Sequence, residues 1–280
     1  RQFAKAKTKL LRQCLHFGFE RLDCPVAMRG ERKMVERHQR RVSPELNVLQ
    51  MQRRVNDAFQ SYLRYYLETF RIPSLSASEI DAGFSTEGYT YIEDALKLGS
   101  GAILAMPHVG GWEWAGRWLA QRGLQVSAVV EVLESTEAYE TFLSLRRGLG
   151  VNVIPLDEHA GVAVQDALRA NHVVVLMSDR DIQRNGVQVE FFGERTTVPA
   201  GPAFFSLRVG APIIPAAAYF TRRVDGHHAV VRPPIAFERT GTLRRLDTAE
   251  GPFIARHPCC GPCVRGCRSS GRHGHRRSRC

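Results

Sequence analysis

Apolar and polar residues alternate along this chain with two periods. From Val55 to Arg71 the segment VNDAFQSYLRYYLETFR sets Phe59, Leu63, Tyr66 and Phe70 three or four positions apart. That is the spacing of one helix face, and it predicts an amphipathic helix whose aromatic residues cover the core, with Tyr62, Tyr65 and Tyr66 as the alternative candidates for a membrane-facing role. Pro73 to Ser78 breaks the pattern. After Gly99 short apolar runs alternate with helical patterns: strand Ala102 to Met106, helix Trp112 to Gln121, strand Val126 to Val130, helix Glu137 to Arg147 and strand Val151 to Ile154. The series continues with helix Val162 to Ala170, strand Val173 to Met177, a strand near Val187 to Phe192, helix Pro202 to Arg208 and strand Pro212 to Ala217. Buried strands separated by amphipathic helices predict a single α/β domain with a mostly parallel or mixed twisted sheet flanked by helices.

Charge divides the chain into three parts. The net charge is +11 over 280 residues, yet residues 1–54 carry +9, residues 251–280 carry +7 and the body from 55 to 250 carries −5. The expected organisation is therefore a basic N-terminal helical segment over 1–54, a folded domain over 55–250 and an atypical tail over 251–280. A basic end beside an acidic body suits an anionic membrane surface as well as nucleic acid. No zinc-finger spacing, RNP-like aromatic motif or basic-zipper heptad supports the latter, so no nucleic-acid partner is expected. The longest apolar run, Ile213 to Phe220, is too short to span a bilayer, and no membrane-crossing segment is expected. The chain opens on Arg1 rather than Met, which leaves room for an anchoring or targeting segment ahead of it.

Cysteine follows the same partition: Cys14 and Cys24 precede the body, and Cys259, Cys260, Cys263, Cys267 and Cys280 follow it. A cysteine-free body fits a reducing compartment. The tail lacks the paired Cys-x-x-Cys frame of a zinc site, so no metal is expected. Its run of Arg, Cys, Gly, His, Pro and Ser reads like a shifted reading frame.

In open α/β sheets the functional crevice lies beyond the carboxyl ends of the strands. The first buried strand ends in Pro107-His108-Val109-Gly110-Gly111-Trp112-Glu113, and the Val173 to Met177 strand ends in Ser178-Asp179-Arg180-Asp181. Two glycines let the chain turn sharply after His108, and a Glu in the first helical turn is expected to reach back to the imidazole. A carboxylate on one ring nitrogen fixes the tautomer so that the other accepts a proton. There is no Gly-x-Ser-x-Gly elbow and the body has no Cys, so a substrate hydroxyl, an amine or water must attack. The competing reading is a His that ends a strand and a Glu that caps a helix. Glu190, Glu194 and Arg195 around Phe191-Phe192-Gly193 read as a charged turn, Gly148-Leu149-Gly150 as a helix C-terminus, and His227 and His228 as structural or exposed.

His108-x4-Glu113 resembles the His-x4-Asp/Glu motif of the glycerolipid acyltransferase superfamily. Three blocks, PHVGGWEWAG at 107–116, SDRDIQRNGVQVEFFGERTTVPAGPA at 178–203 and RVGAPIIPA at 208–216, resemble the branch of lipid A late acyltransferases and phosphatidylinositol mannoside acyltransferases, the latter most. The resemblance implies transfer of a long acyl chain from acyl-CoA to a sugar hydroxyl of a glycolipid, without a further cofactor, by a peripheral enzyme at the cytoplasmic face of the cell membrane. It implies His108 as general base, Glu113 as its orienting carboxylate and Asp179 as a second acidic site residue. Glu131, Arg146, Arg180 and Arg184 become the substrate-binding candidates, the arginines because a guanidinium suits phosphate. Where the resemblance leads one to expect a further long helix after Asp247, the Cys/Arg tail stands instead. That departure keeps a non-catalytic lipid-binding remnant in view beside the transferase, and water in place of the sugar would make the same base an acyl thioester hydrolase.

Overall fold

A computed structural model describes residues 29–236 apart from Glu134; the cysteines, the tail and residues 1–28 lie outside them. The centre of the fold is β2, Ala102–Met106, buried at every position because both its faces are covered. It pairs in parallel with β5, Val173–Met177, on one side and with β8, Ile213–Phe220, on the other. Next to β5 stand β3, Val126–Val130, and then β4, Val151–Pro155; next to β8 stand β9, His227–Val231, and then β1, Phe84–Glu87. Every neighbouring pair of this seven-stranded sheet is parallel except β8 with β9, so the sheet is mixed and mostly parallel as the alternation predicts. A separate antiparallel hairpin joins β6, Val187–Phe191, to β7, Glu194–Val198, with its turn at Phe192-Gly193.

Alternate residues of each strand feed two apolar layers. On one face Leu104, Met106, Ile214 and Ala216 pack with Trp114 and Trp118 of α5, Trp112–Gln121, and with Ile92 of α4, Thr90–Lys97. On the other Ile103, Val174, Leu176 and Ile213 pack with Val164 and Leu168 of α7, Ala160–Arg169, and with Phe205 of α8, Gly201–Val209. Each large aliphatic side chain among these contributes about 1.5–3 kcal/mol by leaving water, so the two layers hold the sheet between helices. The remaining helices are α1, Arg29–Val42; α2, Val48–Arg71; α3, Ala77–Ala82; and α6, Thr136–Gly148.

The aromatic helix starts at Val48 rather than Val55. Asn47 caps it: its side chain accepts from the Gln50 backbone N–H while the Gln50 side chain accepts from the Asn47 N–H, each at 3.0 Å. This reciprocal pair satisfies two orphan donors and carries the helix through the polar stretch LQMQRR. Among the described residues no helix is long and apolar enough to cross a membrane.

Candidate active site

The register of two strands builds the site. Met106 lies opposite Met177 in the parallel β2–β5 pair, and the ladder continues one step further, with the Ser178 N–H donating to the Met106 carbonyl at 2.8 Å. His108 and Asp179 therefore leave the sheet side by side. His108 Nδ1 is 2.7 Å from Asp179 Oδ1, and the His108 backbone N–H donates to Asp179 Oδ2 at 3.0 Å. One carboxylate thus grips both the ring and the main chain of the histidine. Burial alone would raise the Asp179 carboxyl, but the His108 side-chain and backbone hydrogen bonds outweigh it and hold the group below its ordinary range. An ionised Asp179 makes Nδ1 the protonated nitrogen and leaves Nε2 as the acceptor. The ring stands edge-on to Trp112, 5.3 Å between centroids, and Tyr65 of α2 packs on the same indole at 4.2 Å.

Glu113 is engaged elsewhere, which corrects the expectation that it reaches back to the imidazole. The chain turns through Gly110, at φ +63°, packed so close to β8 that a Cβ there would lie 1.9 Å from the Ala218 carbonyl oxygen. Helix α5 then starts with Glu113 pointing inward, 5% exposed, under α2 and α6. A carboxylate that deep needs a compensating charge. Arg146 of α6 supplies it, with Nε at 2.9 Å and Nη2 at 2.7 Å from Glu113 Oε1, and the Tyr65 hydroxyl donates to the same oxygen at 3.1 Å. Burial first, then the adjacent Glu113 charge, pushes the Tyr65 phenol well above its ordinary value, so it remains a neutral donor. Burial opposes charge on Arg146, and Glu113 more than restores it.

The other candidates are more dispersed. Glu131 follows β3 and Arg180 follows Asp179; both are exposed and both line the cleft that contains His108, Glu113 and Arg146. Arg184 sits exposed at φ +54° in the loop before β6, outside that lining. Asp181 serves the loop itself, accepting from the Gly186 N–H at 2.9 Å and the Asn185 N–H at 3.3 Å. The cleft measures about 1980 Å³, above the ~300–1,000 Å³ of ordinary small-ligand pockets and of a size for long or paired substrates. Its walls include Tyr62, Phe142, Phe204 and Phe205. Among the described residues no group of three His, Cys, Asp or Glu is placed to hold a metal ion.

Sequence reading did not assign Tyr65 or the cluster of Arg64, Glu68 and His227 to the site's surroundings. The signal for Tyr65 was its place on the aromatic helix; a tyrosine whose hydroxyl is buried needs a polar partner. For Asp179 as the partner of His108, the signal was its equal offset beyond a strand of equal length.

Residues 27–258 match the family model described as bacterial lipid A biosynthesis acyltransferase. The chain is 38% identical over 173 residues to a phosphatidylinositol mannoside acyltransferase of Mycobacterium tuberculosis, covering 59% of this chain and 54% of that one. It is 36% identical over 204 residues to the phosphatidylinositol mannoside acyltransferase of Mycolicibacterium smegmatis, covering 72% of this chain and 63% of that one. The chain thus spans about half to three-fifths of the length of the curated relatives it matches. The matched stretch contains the whole sheet, both strand ends that carry His108 and Asp179, and the turn to Glu113, and the chain belongs to the bacterial lipid A biosynthesis acyltransferase family.

Proposed function

We propose that the protein transfers a long-chain acyl group from acyl-CoA to a sugar hydroxyl of a phosphatidylinositol mannoside-like glycolipid, with His108 as general base. The observation that carries this reading is His108, held by Asp179 through Nδ1 at 2.7 Å, lining a large, partly aromatic cleft in a body with no Gly-x-Ser-x-Gly elbow and no cysteine. With no protein nucleophile beside the base, the acceptor hydroxyl attacks directly. Nε2 takes its proton as the oxygen bonds to the thioester carbonyl; the tetrahedral intermediate collapses by breaking the C–S bond, and the imidazolium returns the proton to the departing thiolate. Asp179 stabilises the imidazolium between the two transfers. Glu113 holds Arg146 against the cleft wall, where the guanidinium, with Arg180 lining the same cleft, meets the anionic parts of donor or acceptor. Glu131 lies on the same rim and Arg184 beyond it.

A soluble acyl-CoA donor and a lipid acceptor place the reaction at the cytoplasmic face of a membrane, with the protein peripheral to it. The test is incubation of the purified chain with labelled palmitoyl-CoA and a panel of mannosylated and glucosamine lipids, followed by identification of the labelled product. An acylated mannolipid supports the reading. Free palmitate alone would reassign the site as a thioester hydrolase, and no turnover with any acceptor would favour a lipid-binding remnant.

A further inference from the structure

Beneath the turn that carries His108 and Glu113 lies a second histidine with no part in the proton transfers above. The His227 side chain is fully buried at the start of β9, stacked on Trp114 of α5 with 4.3 Å between ring centroids. Its Nε2 lies 3.0 Å from Glu68 Oε2 of α2, a close contact without the alignment of a hydrogen bond, and its Nδ1 has no hydrogen-bond partner. Glu68 is held in turn by Arg64 Nε at 2.6 Å, and the Arg64 guanidinium donates to the carbonyls of Thr221, Arg223 and Gly226 in the loop between β8 and β9. The ring fills the space against Gly111: a Cβ there would lie 2.4 Å from His227 Nδ1 and 2.5 Å from Cε1. A buried polar ring with an unsatisfied nitrogen is a costly way to fill that space if packing were its only task.

We propose that His227 is a positioning residue for the proposed transfer reaction: its imidazole, anchored by Glu68 and Trp114, is the floor on which Gly111 rests, and it sets the height of the His108–Glu113 turn. The inference rests on the assignment of His108 as base, and its test separates the two. Gly111→Ala, His227→Ala and the double variant are compared with the wild type and with His108→Ala, using palmitoyl-CoA and phosphatidylinositol mannosides, with thermal melts of each. Displacement of a catalytic group by about 1 Å costs on the order of 10²-fold, so Gly111→Ala should lose at least roughly tenfold in kcat, with KM for palmitoyl-CoA within about twofold. Its melt should stay cooperative. The double variant, in which the ring is gone and the new methyl fits, should recover at least roughly threefold over Gly111→Ala, an energetic coupling that independent sites do not show.

A second readout does not need turnover. The Nδ1 proton of the His108–Asp179 hydrogen bond, assigned by its loss in Asp179→Asn, should shift in the NMR spectrum of Gly111→Ala and return toward its wild-type position in the double variant. Wild-type kcat in Gly111→Ala, loss of its cooperative melt, or an unmoved Nδ1 proton would each overturn the proposal. Equal inactivity of wild type and His108→Ala would instead overturn the reading of the site, and the Nδ1 proton alone would then decide the role of His227.

Discussion

His108 and Asp179 occupy equivalent places beyond the ends of two adjacent parallel strands, and their pairing at 2.7 Å follows from the Met106–Met177 register. Neither residue needs a long loop to find the other, because the sheet delivers both. A site built on strand ends is held more rigidly than one on loops, which suits the proposed role of His108 as a base that meets a reacting hydroxyl.

If His108 Nε2 takes the acceptor proton, His108→Ala should lower kcat by roughly 10²–10⁴-fold, the usual worth of a general base. Palmitoyl-CoA binding, followed by calorimetry, should change little, since the imidazole acts on the acceptor side of the reaction. Turnover equal to wild type would remove His108 from the mechanism.

Every strand predicted after Gly99 is present in the structure, and the clearest of them in the sequence are those buried on both faces. Ala102–Met106 and Val173–Met177 read as continuous apolar runs because helices cover the sheet on either side, and such runs stand out in a sequence. β1, Phe-Ser-Thr-Glu, and β7, Glu-Arg-Thr-Thr-Val, were not legible: one is an edge strand with alternate positions exposed, the other lies in a mostly exposed hairpin, and neither carries an apolar signature. The residues of the site were legible as polar clusters after buried strands. Their pairing was not, because sequence order does not disclose that β5 inserts between β2 and β3. Local spacing favoured Glu113 as the partner of His108; burial under α2 and α6 gave that carboxylate to Arg146 and Tyr65 instead.

Asp179→Asn keeps the shape of the site and removes the charge that sets the tautomer. The expected loss in kcat is on the order of 10²–10⁴-fold, as for an orienting aspartate in a triad. The same group makes stability pH-dependent. Its folded carboxyl titrates below its unfolded value, so below about pH 4 the unfolded chain binds more protons than the folded one. The stabilisation is therefore complete above that value and is lost as pH falls through the lower, folded one. Denaturant midpoints of wild type and Asp179→Asn should differ most near neutrality and converge as pH falls below about 4. A gap that widens on acidification would contradict the pairing.

Glu113→Gln should reveal itself in stability before activity. Removing one partner of a buried ion pair leaves the other charge uncompensated, at a cost of about 3–5 kcal/mol, and Arg146 would be that charge. Replacing both, as Glu113→Gln with Arg146→Met, should restore much of the stability while activity falls below that of Glu113→Gln, because the guanidinium is gone from the cleft wall. Denaturation midpoints of the two single variants and the double variant close the cycle. Additive losses would show that the pair does not act as a unit.

Helix α1 buries no residue and carries Arg29, Arg32, Lys33, Arg37, Arg40 and Arg41 against Glu31 and Glu36. It is tied to the body by Arg32 Nη2 on Asn56 Oδ1 at 2.6 Å and by Arg41 Nε to Glu194 at 2.7 Å. Next to this charge stand exposed apolar side chains, Met34 at 49%, Val48 at 68% and Leu49 at 67%, which the sequence alone did not group with it. Basic residues near an anionic bilayer contribute about 1 kcal/mol each, and that attraction fades as the screening length shrinks from ~10 Å at 0.1 M salt to ~3 Å at 1 M. Apolar insertion does not fade in this way. The wild-type chain should therefore co-sediment with vesicles containing anionic lipid at low salt and be released in part at 1 M. A variant with Arg29, Arg32, Lys33 and Arg37 changed to Gln should lose the salt-dependent part, and Met34, Val48 and Leu49 changed to Ser should lose the remainder. Binding that ignores anionic lipid content, or that survives both sets of changes, would move the membrane contact away from this arm and onto the rim of the cleft.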